Sequence, residues 1–190
     1  MRKIYFVRHS IRDLTNQEDQ TAPLTQKGQQ LADQLKYFFA EKQIQHIYSS
    51  PYLRTLQTIR PTAELLGLDI LTEHDLRERA VGTWVEHFNE FAKQQWQDFD
   101  YHLAGGESLR QVQQRMLTCY QAILKQNSGN LIIGGHGTAL AILFHELTAG
   151  AFDFAAFQQM TMPDIFLAEY TRDTCTAFQK INFEKNRLDL

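Results

Sequence analysis

Arg8 and His9 follow directly on the apolar run Ile4-Tyr5-Phe6-Val7 of this 190-residue chain. Arginine presents a planar fork of donors suited to an oxyanion, and histidine a ring nitrogen able to act as nucleophile, base or metal ligand. Two further stations have the same form. Ser49, Ser50 and Arg54 come after the apolar stretch 44–48, and His136 comes after Leu131-Ile132-Ile133, set among Gly134, Gly135 and Gly137. Glycines there would let a ligand come close to the backbone. Arg8, Arg54, His9 and His136, if brought together beside helix N-termini, would enclose a dianionic phosphoryl group. Arginines would then supply the neutralisation that Mg²⁺ gives in other phosphoryl-transfer sites. The acids and histidines show no metal-cage spacing, so no metal and no cofactor is expected.

Such a meeting requires a scaffold that aligns the ends of separate strands. A continuous apolar run reads as a strand covered on both faces, and the polar pair after it falls at the carboxyl edge, where α/β proteins bind ligands. Residues 11–23 read as a polar loop. Thr25 is the expected N-cap of a helix with Leu31, Leu35, Phe38 and Phe39 on one face. After the strand 44–48, Ser50 is the expected cap and Pro51 the first residue of a helix with an apolar face of Leu53, Leu56 and Ile59. Pro61 should break or kink it, leaving a short second piece to about Gly67. A third strand is expected at 68–72.

The stretch from about 73 to 106 carries Trp84, Phe88, Phe91, Trp96, Phe99 and Tyr101 around one amphipathic helix. These rings suit core packing or a lid over a site, and both readings stand. Ser108 and Gln111 form a capping-box pattern that opens the longest helix, with Leu109, Val112, Met116 and Tyr120 inward. The strand 131–133 and a helix over about 138–147 follow. A terminal hairpin is expected from 165–171 and 176–183, turned at 172–174, and the residues from about Lys185 should fray. The pattern predicts an α/β fold, a three-layer α/β/α sandwich around a mixed, mostly parallel sheet. One domain over 1–190 is expected, with a short aromatic-rich lid segment at about 79–105.

With 43% hydrophobic and 22% charged residues the composition is that of a globular protein, and a net charge of -3 gives no reason to expect nucleic acid or membrane partners. Cys119 and Cys175 lack metal-like spacing and read as reduced thiols. No leader or membrane-length apolar stretch is evident, so a cytoplasmic location is expected. The expected partner is a small phosphorylated metabolite, acting on a monomer or homodimer.

The ordered motifs resemble the histidine phosphatase superfamily, also called phosphoglycerate-mutase-like. They are Arg8-His9-Ser10, Ser49-Ser50 with Arg54 and Thr58, Leu76-Arg77-Glu78 with Gly82 and Trp84, Gly105 to Ser108, and His136-Gly137. The resemblance implies that His9 attacks phosphorus and becomes a phosphohistidine. Arg8, Arg54 and His136 would hold the equatorial oxygens, and Glu78 would protonate the leaving oxygen. It places substrate contacts on Arg8, Ser10, Arg54, Glu107, His136, Gly137 and Thr138, with Thr58 as a support. Asp75 is a rival acid to Glu78, and Glu107 is either part of the site or the residue before a cap. Arg12, Arg77, Arg79 and Lys93 are either substrate-selecting or solvated. Ser10 and Gly135 stand where the family more often has glycine and serine, and loop 11–23 lacks the usual T-x-x-N pattern. Two activities fit the resemblance, a metal-independent phosphatase for small phosphomonoesters and a bisphosphoglycerate-dependent phosphoglycerate mutase. A catalytically silent phospho-ligand module is the third reading.

Overall fold

The computed structural model describes residues 1–183. Its elements are β1 (Arg2–Arg8), α1 (Gln26–Phe39), β2 (Ile44–Ser49), α2 (Leu53–Leu66), β3 (Ile70–Thr72), a single 3-10 turn (His74–Leu76), α3 (Phe88–Gln97), α4 (Leu109–Gln126), β4 (Asn130–Gly135), α5 (Gly137–Leu147), α6 (Phe154–Gln158), β5 (Asp164–Thr171) and β6 (Thr174–Ile181). The strands form one six-stranded sheet in the order β3-β2-β4-β1-β5-β6. β1, β2, β3 and β4 run parallel, and β5 is antiparallel to both β1 and β6.

Alternation along β1 shows why its apolar run has no polar gap. Ile4 and Phe6 join one core with α4 and α5, while Tyr5 and Val7 join the other with Leu35, Phe39, Ile59 and Ala63 of α1 and α2. Successive side chains of a strand point to opposite faces, so a strand covered by helices on both sides is apolar throughout. Ile4, Phe6 and Val7 are wholly buried, and each such side chain contributes about 1.5–3 kcal/mol.

Local signals held at several ends. The Thr25 hydroxyl accepts from the Gly28 N–H, and Ser108 and Gln111 complete the capping box of α4. Gly67 ends α2 in the left-handed conformation, φ 64°, which costs glycine little. Other expectations are corrected. α2 starts at Leu53 after an uncapped Tyr52, so Ser50 is not its cap and Pro51 is not helical. The Ser50 hydroxyl is engaged by His136 instead, at 2.7 Å. α2 runs unbroken through Pro61, held by the buried side chains of Ile59, Thr62 and Ala63. Its buried face is mostly polar, with Arg54, Thr55 and Thr58, while Leu53 and Leu56 are only half-buried. β3 spans only three residues, and the hairpin turns at Arg172-Asp173, with Arg172 at φ 55°. The short α6 and the 3-10 turn carry too little periodicity to be expected from sequence. The fraying expected from about Lys185 lies outside the described residues.

The stretch 79–105 is partly packed and partly open to solvent. Trp96 packs on Phe99, His145, Phe154 and Phe157, and Phe91, Ala92 and Gln95 are buried. Trp84 and Phe88 point outward, at 73% and 43% exposure.

Candidate active site

Register places the candidate residues side by side. Arg8 pairs with Gly135 across β1 and β4, and Ser49 pairs with Gly134 across β2 and β4. The next residues of all three strands, His9, Ser50 and His136, therefore leave the same carboxyl edge together. The His9 N–H donates to the Gly135 carbonyl and the Ser50 N–H to that of Gly134, both at 3.0 Å. The rings of His9 and His136 lie 5.3 Å apart.

His9 is 5% exposed, and its Nδ1 lies 2.7 Å from the Ser10 carbonyl oxygen. A carbonyl only accepts, so Nδ1 carries the proton and Nε2 keeps a free lone pair. Burial pushes the His9 pKa down to about 3, helped by the cations Arg54, Arg8 and Arg12 and opposed by the Ser10 carbonyl. His9 is thus a neutral imidazole with a fixed tautomer, which is the form a nucleophile needs. The loop that holds it is tied down by Thr58, whose hydroxyl accepts from the Ser10 N–H at 2.9 Å and donates to the Arg54 carbonyl at 2.7 Å.

His136 is fully buried, and its pKa lies well below the ordinary value because of burial first and then Arg54 and His9. Ser50 Oγ accepts from the Tyr52 N–H at 3.3 Å and meets His136 Nε2 at 2.7 Å. Thr55 Oγ1 lies 3.3 Å from the same nitrogen, and with either hydroxyl donating to Nε2 the imidazole proton sits on Nδ1. Nδ1 has no partner among the described residues.

The same holds for a set of guanidinium nitrogens. The Nε atoms of Arg8, Arg12, Arg54 and Arg79 are all buried without a partner among the described residues, as is the Ser10 hydroxyl. Each guanidinium is held by its other nitrogens. Arg8 Nη1 donates to the Met160 carbonyl at 2.9 Å, and Arg54, 1% exposed, is held end-on by the backbone and carboxylate of Asp19. Arg79, 3% exposed, donates to Gln95 and lies over the Phe91 ring at 4.8 Å. Burial lowers the pKa of Arg8, Arg54 and Arg79, yet arginine stays charged at such sites. Buried donors left unpaired are costly, so their clustering at one sheet edge marks a place built for an oxyanion.

The glycines around His136 serve the protein's own packing. A Cβ on Gly137 would lie 3.0 Å from Arg8 Nη2, one on Gly134 would meet Ile59 and Ser49, and one on Gly135 would meet Leu140. Gly137 therefore matters by admitting the Arg8 guanidinium to the N-terminus of α5. The Glu78 carboxylate caps that terminus. Its Oε2 accepts from the Thr138 N–H at 3.1 Å, and its Oε1 from the N–H groups of Ala139 and Arg79 at 3.0 and 2.8 Å. Its charge also acts on Arg8, Arg54 and Arg79. Asp75 is 51% exposed and paired with Arg77 at 2.9 Å, away from these groups.

Glu107 does not turn its carboxylate toward them either. Its oxygens accept from Arg77, from Arg115 and from the Ala80 N–H. Burial alone would raise its pKa, but Arg115, the Ala80 N–H and Arg77 together lower it. Arg115 reaches on to the carbonyls of Asp75, Arg77 and Glu78. Glu107 and Arg115 thus brace the segment that carries Glu78. Arg77 is spent on Asp75 and Glu107, and Lys93 is exposed. Arg12 stays with the cluster through Asp19, while Arg79 is buried against Gln95 and Phe91; adjacency to Glu78 was the one sequence signal for Arg79. Among the described residues no group of three or more His, Cys, Asp or Glu could hold a metal ion, and no helix is long and apolar enough to cross a membrane.

An α/β sandwich that converges a neutral histidine, a second buried histidine and unpaired guanidinium donors on one sheet edge defines a protein that handles phosphate esters. Residues 4–182 match the histidine phosphatase superfamily (branch 1), and the chain belongs to that family. A probable phosphoglycerate mutase, GpmB, of Shigella dysenteriae serotype 1 is 31% identical over 160 residues, covering 75% of this chain and 73% of the relative. Among solved structures, phosphoserine phosphatase of Entamoeba histolytica in complex with 3-phosphoglyceric acid superposes with a TM-score of 0.78 at 20% identity, covering 96% and 99% of the two chains. YhfR of Bacillus stearothermophilus gives 0.76 at 24%, covering 95% of each chain. The mycobacterial glucosyl-3-phosphoglycerate phosphatase with inorganic phosphate gives 0.77 at 19%, covering 95% and 96%. The three solved structures share the fold.

Proposed function

We propose that the chain is a metal-independent phosphatase that hydrolyses small phosphomonoesters through a phosphohistidine on His9. The observation that carries this is the His9 Nδ1–Ser10 carbonyl bond of 2.7 Å, which leaves a neutral Nε2 lone pair beside buried, unpaired donors of Arg8, Arg54 and His136. Nε2 attacks phosphorus as the ester P–O bond breaks, and Glu78 delivers a proton to the departing alkoxide. Oε2 of Glu78 has one donor, so a lone pair is left to carry that proton. Water then attacks phosphorus, Glu78 takes its proton, the P–N bond breaks and His9 returns to its neutral state. Arg8, Arg54 and His136 Nδ1 stabilise the charge on the equatorial oxygens in both steps.

A mutase runs the same first step and differs in what captures the phosphoenzyme. The GpmB relatives carry the mutase name, which makes it the second reading. Mutase chemistry needs a dry, closed site with fixed acceptor contacts. The segment 82–101 is short, has Lys93 as its only lysine or arginine, and leaves Trp84 and Phe88 open to water, which favours water as the acceptor. The test is a rapid-quench reaction with a radiolabelled phosphomonoester in EDTA. Acid-labile, alkali-stable label on His9, absent from His9→Ala, with phosphate released in step with substrate loss, is expected. Label on serine or cysteine would sink the nucleophile. Interconversion of 3- and 2-phosphoglycerate, primed by the bisphosphate and much faster than phosphate release, would make the chain a mutase.

A further inference from the structure

Loop 11–23 contributes a group that the motifs do not supply. The Asp19 carboxylate bridges two guanidiniums, accepting from Arg12 Nη1 at 2.7 Å and Arg54 Nη2 at 3.0 Å, while its backbone carbonyl accepts from Arg54 Nη1. We propose that Arg12 is a third phosphoryl-binding guanidinium of this site, held beside Arg54 by Asp19. The inference rests on the phosphate-ester reading of the site.

A guanidinium has an end edge, Nη1 with Nη2, and a side edge that includes Nε, and either can grip an oxyanion with two parallel hydrogen bonds. Asp19 takes the end edge of Arg54 and Nη1 of Arg12, and Arg12 Nη2 reaches the Asn16 carbonyl at 3.4 Å. In both arginines Nε remains buried without a partner among the described residues, as it does in Arg8. All three therefore keep an unpaired Nε–H for a ligand. An ordinary surface ion pair would leave the arginine in solvent. Here Arg12 is the more enclosed partner, at 20% side-chain exposure against 45% for Asp19. Its charge also acts on His9 and Arg54.

The backbone under Arg12 is pinned as well. Arg12 forms an isolated antiparallel bridge with Leu24, and the Asp13 N–H donates to the Pro23 carbonyl at 2.8 Å. The guanidinium is thus set in place before a ligand arrives, which lowers the entropic cost of binding.

The test is inorganic phosphate binding by calorimetry, with KM and kcat on an aryl phosphate. Loss of one charge-assisted contact in Arg12→Gln should weaken phosphate binding and raise KM by about ten- to a hundredfold, with a smaller change in kcat. Phosphate affinity within twofold of wild type overturns the proposal and leaves Arg12 as a loop anchor. Asp19 is the positioning residue, and a double-mutant cycle tests it. In an Asp19→Asn background, Arg12→Gln should cost less than threefold in phosphate affinity, and undiminished cost refutes the clamp. If Arg12→Gln folds poorly, the arginine Nε–H resonances of the wild-type protein decide, with Arg12→Lys used for assignment. Phosphate should shift the Arg12 signal along with those of Arg8 and Arg54, and an unmoved Arg12 signal refutes the contact. Phosphate binding that depends on Arg12 without turnover of any ester would retire the phosphatase reading and leave this one standing.

Discussion

A buried neutral histidine ties stability to pH in a way that can be isolated. The folded chain resists protonating His9 until about pH 3, whereas the unfolded chain protonates it near the ordinary histidine value of about 6.5. Between those values the unfolded state binds the extra proton, so stability is present above about pH 6.5 and declines as pH falls. From pH 7 to 5 the loss from His9 alone is roughly 2 kcal/mol, from 1.36 kcal/mol per unit over about 1.5 units. His136 adds a loss of the same sign, since its pKa is also depressed, so the wild-type slope by itself does not identify His9. The informative comparison is with His9→Asn, whose amide can still donate to the Ser10 carbonyl but cannot titrate. Urea unfolding of both proteins at pH 7 and 5 should show a pH-dependent loss smaller by about 2 kcal/mol in the variant. With a urea slope of about 2 kcal/mol/M, that is a difference near 1 M in midpoint shift. Equal pH dependence in the two proteins would mean that His9 is not held neutral by burial, and the argument for a preset nucleophile would go with it.

Two further outcomes follow from named contacts. Glu78→Gln should slow esters of poor leaving groups, such as glyceryl or sugar phosphates, by ~10²–10⁴-fold in kcat/KM while aryl phosphates suffer much less; equal losses on both would make Glu78 structural and bring Asp75 forward. Thr58→Val should leave the Ser10 N–H unpaired, at about 1–3 kcal/mol read by urea unfolding, while the Arg54 carbonyl keeps its helical partner, the Thr58 N–H. It should also reduce kcat, because Ser10 carries the carbonyl that orients His9. Unchanged stability and unchanged kcat would remove Thr58 from the account.

Sequence revealed most where the physics is local. A polar residue directly after an apolar run marks a strand end, and Arg8-His9, Ser49-Ser50 and His136 were all readable on that ground. Caps were readable where the side chain reaches only three residues along, as at Thr25 and Ser108. The signal failed where a distant partner intervenes. Ser50 looks like a cap, but its hydroxyl belongs to a histidine 86 positions away. Periodicity marks Leu53, Leu56 and Ile59 as the inner face of α2; Ile59 is buried there, but Arg54, Thr55 and Thr58 take the places of Leu53 and Leu56 because that side of the helix borders the site. Glu107 could not be separated from the substrate contacts without seeing Arg115 arrive from α4. Nor could the arginines be sorted, because Arg12 and Arg79 differ from Arg77 only in what holds them: Asp19 and Gln95 against two carboxylates.

Glu78 has two jobs, and this decides how its chemistry must be tested. Its carboxylate is the cap of α5, whose first turn carries Thr138 and Ala139, and α5 packs against α4 in the core beneath His136. A substitution there disturbs the helix start as well as any proton transfer, so a bare fall in kcat says little. The cap has three donors, two of them on Oε1, and glutamine can keep its carbonyl oxygen facing those two. What it cannot do is release a proton from the Oε2 position. Cap damage falls equally on every substrate, whereas a missing proton falls on those whose leaving oxygen needs one. Dependence on the leaving group, not the size of the loss, is therefore the signature that separates the acid from the cap.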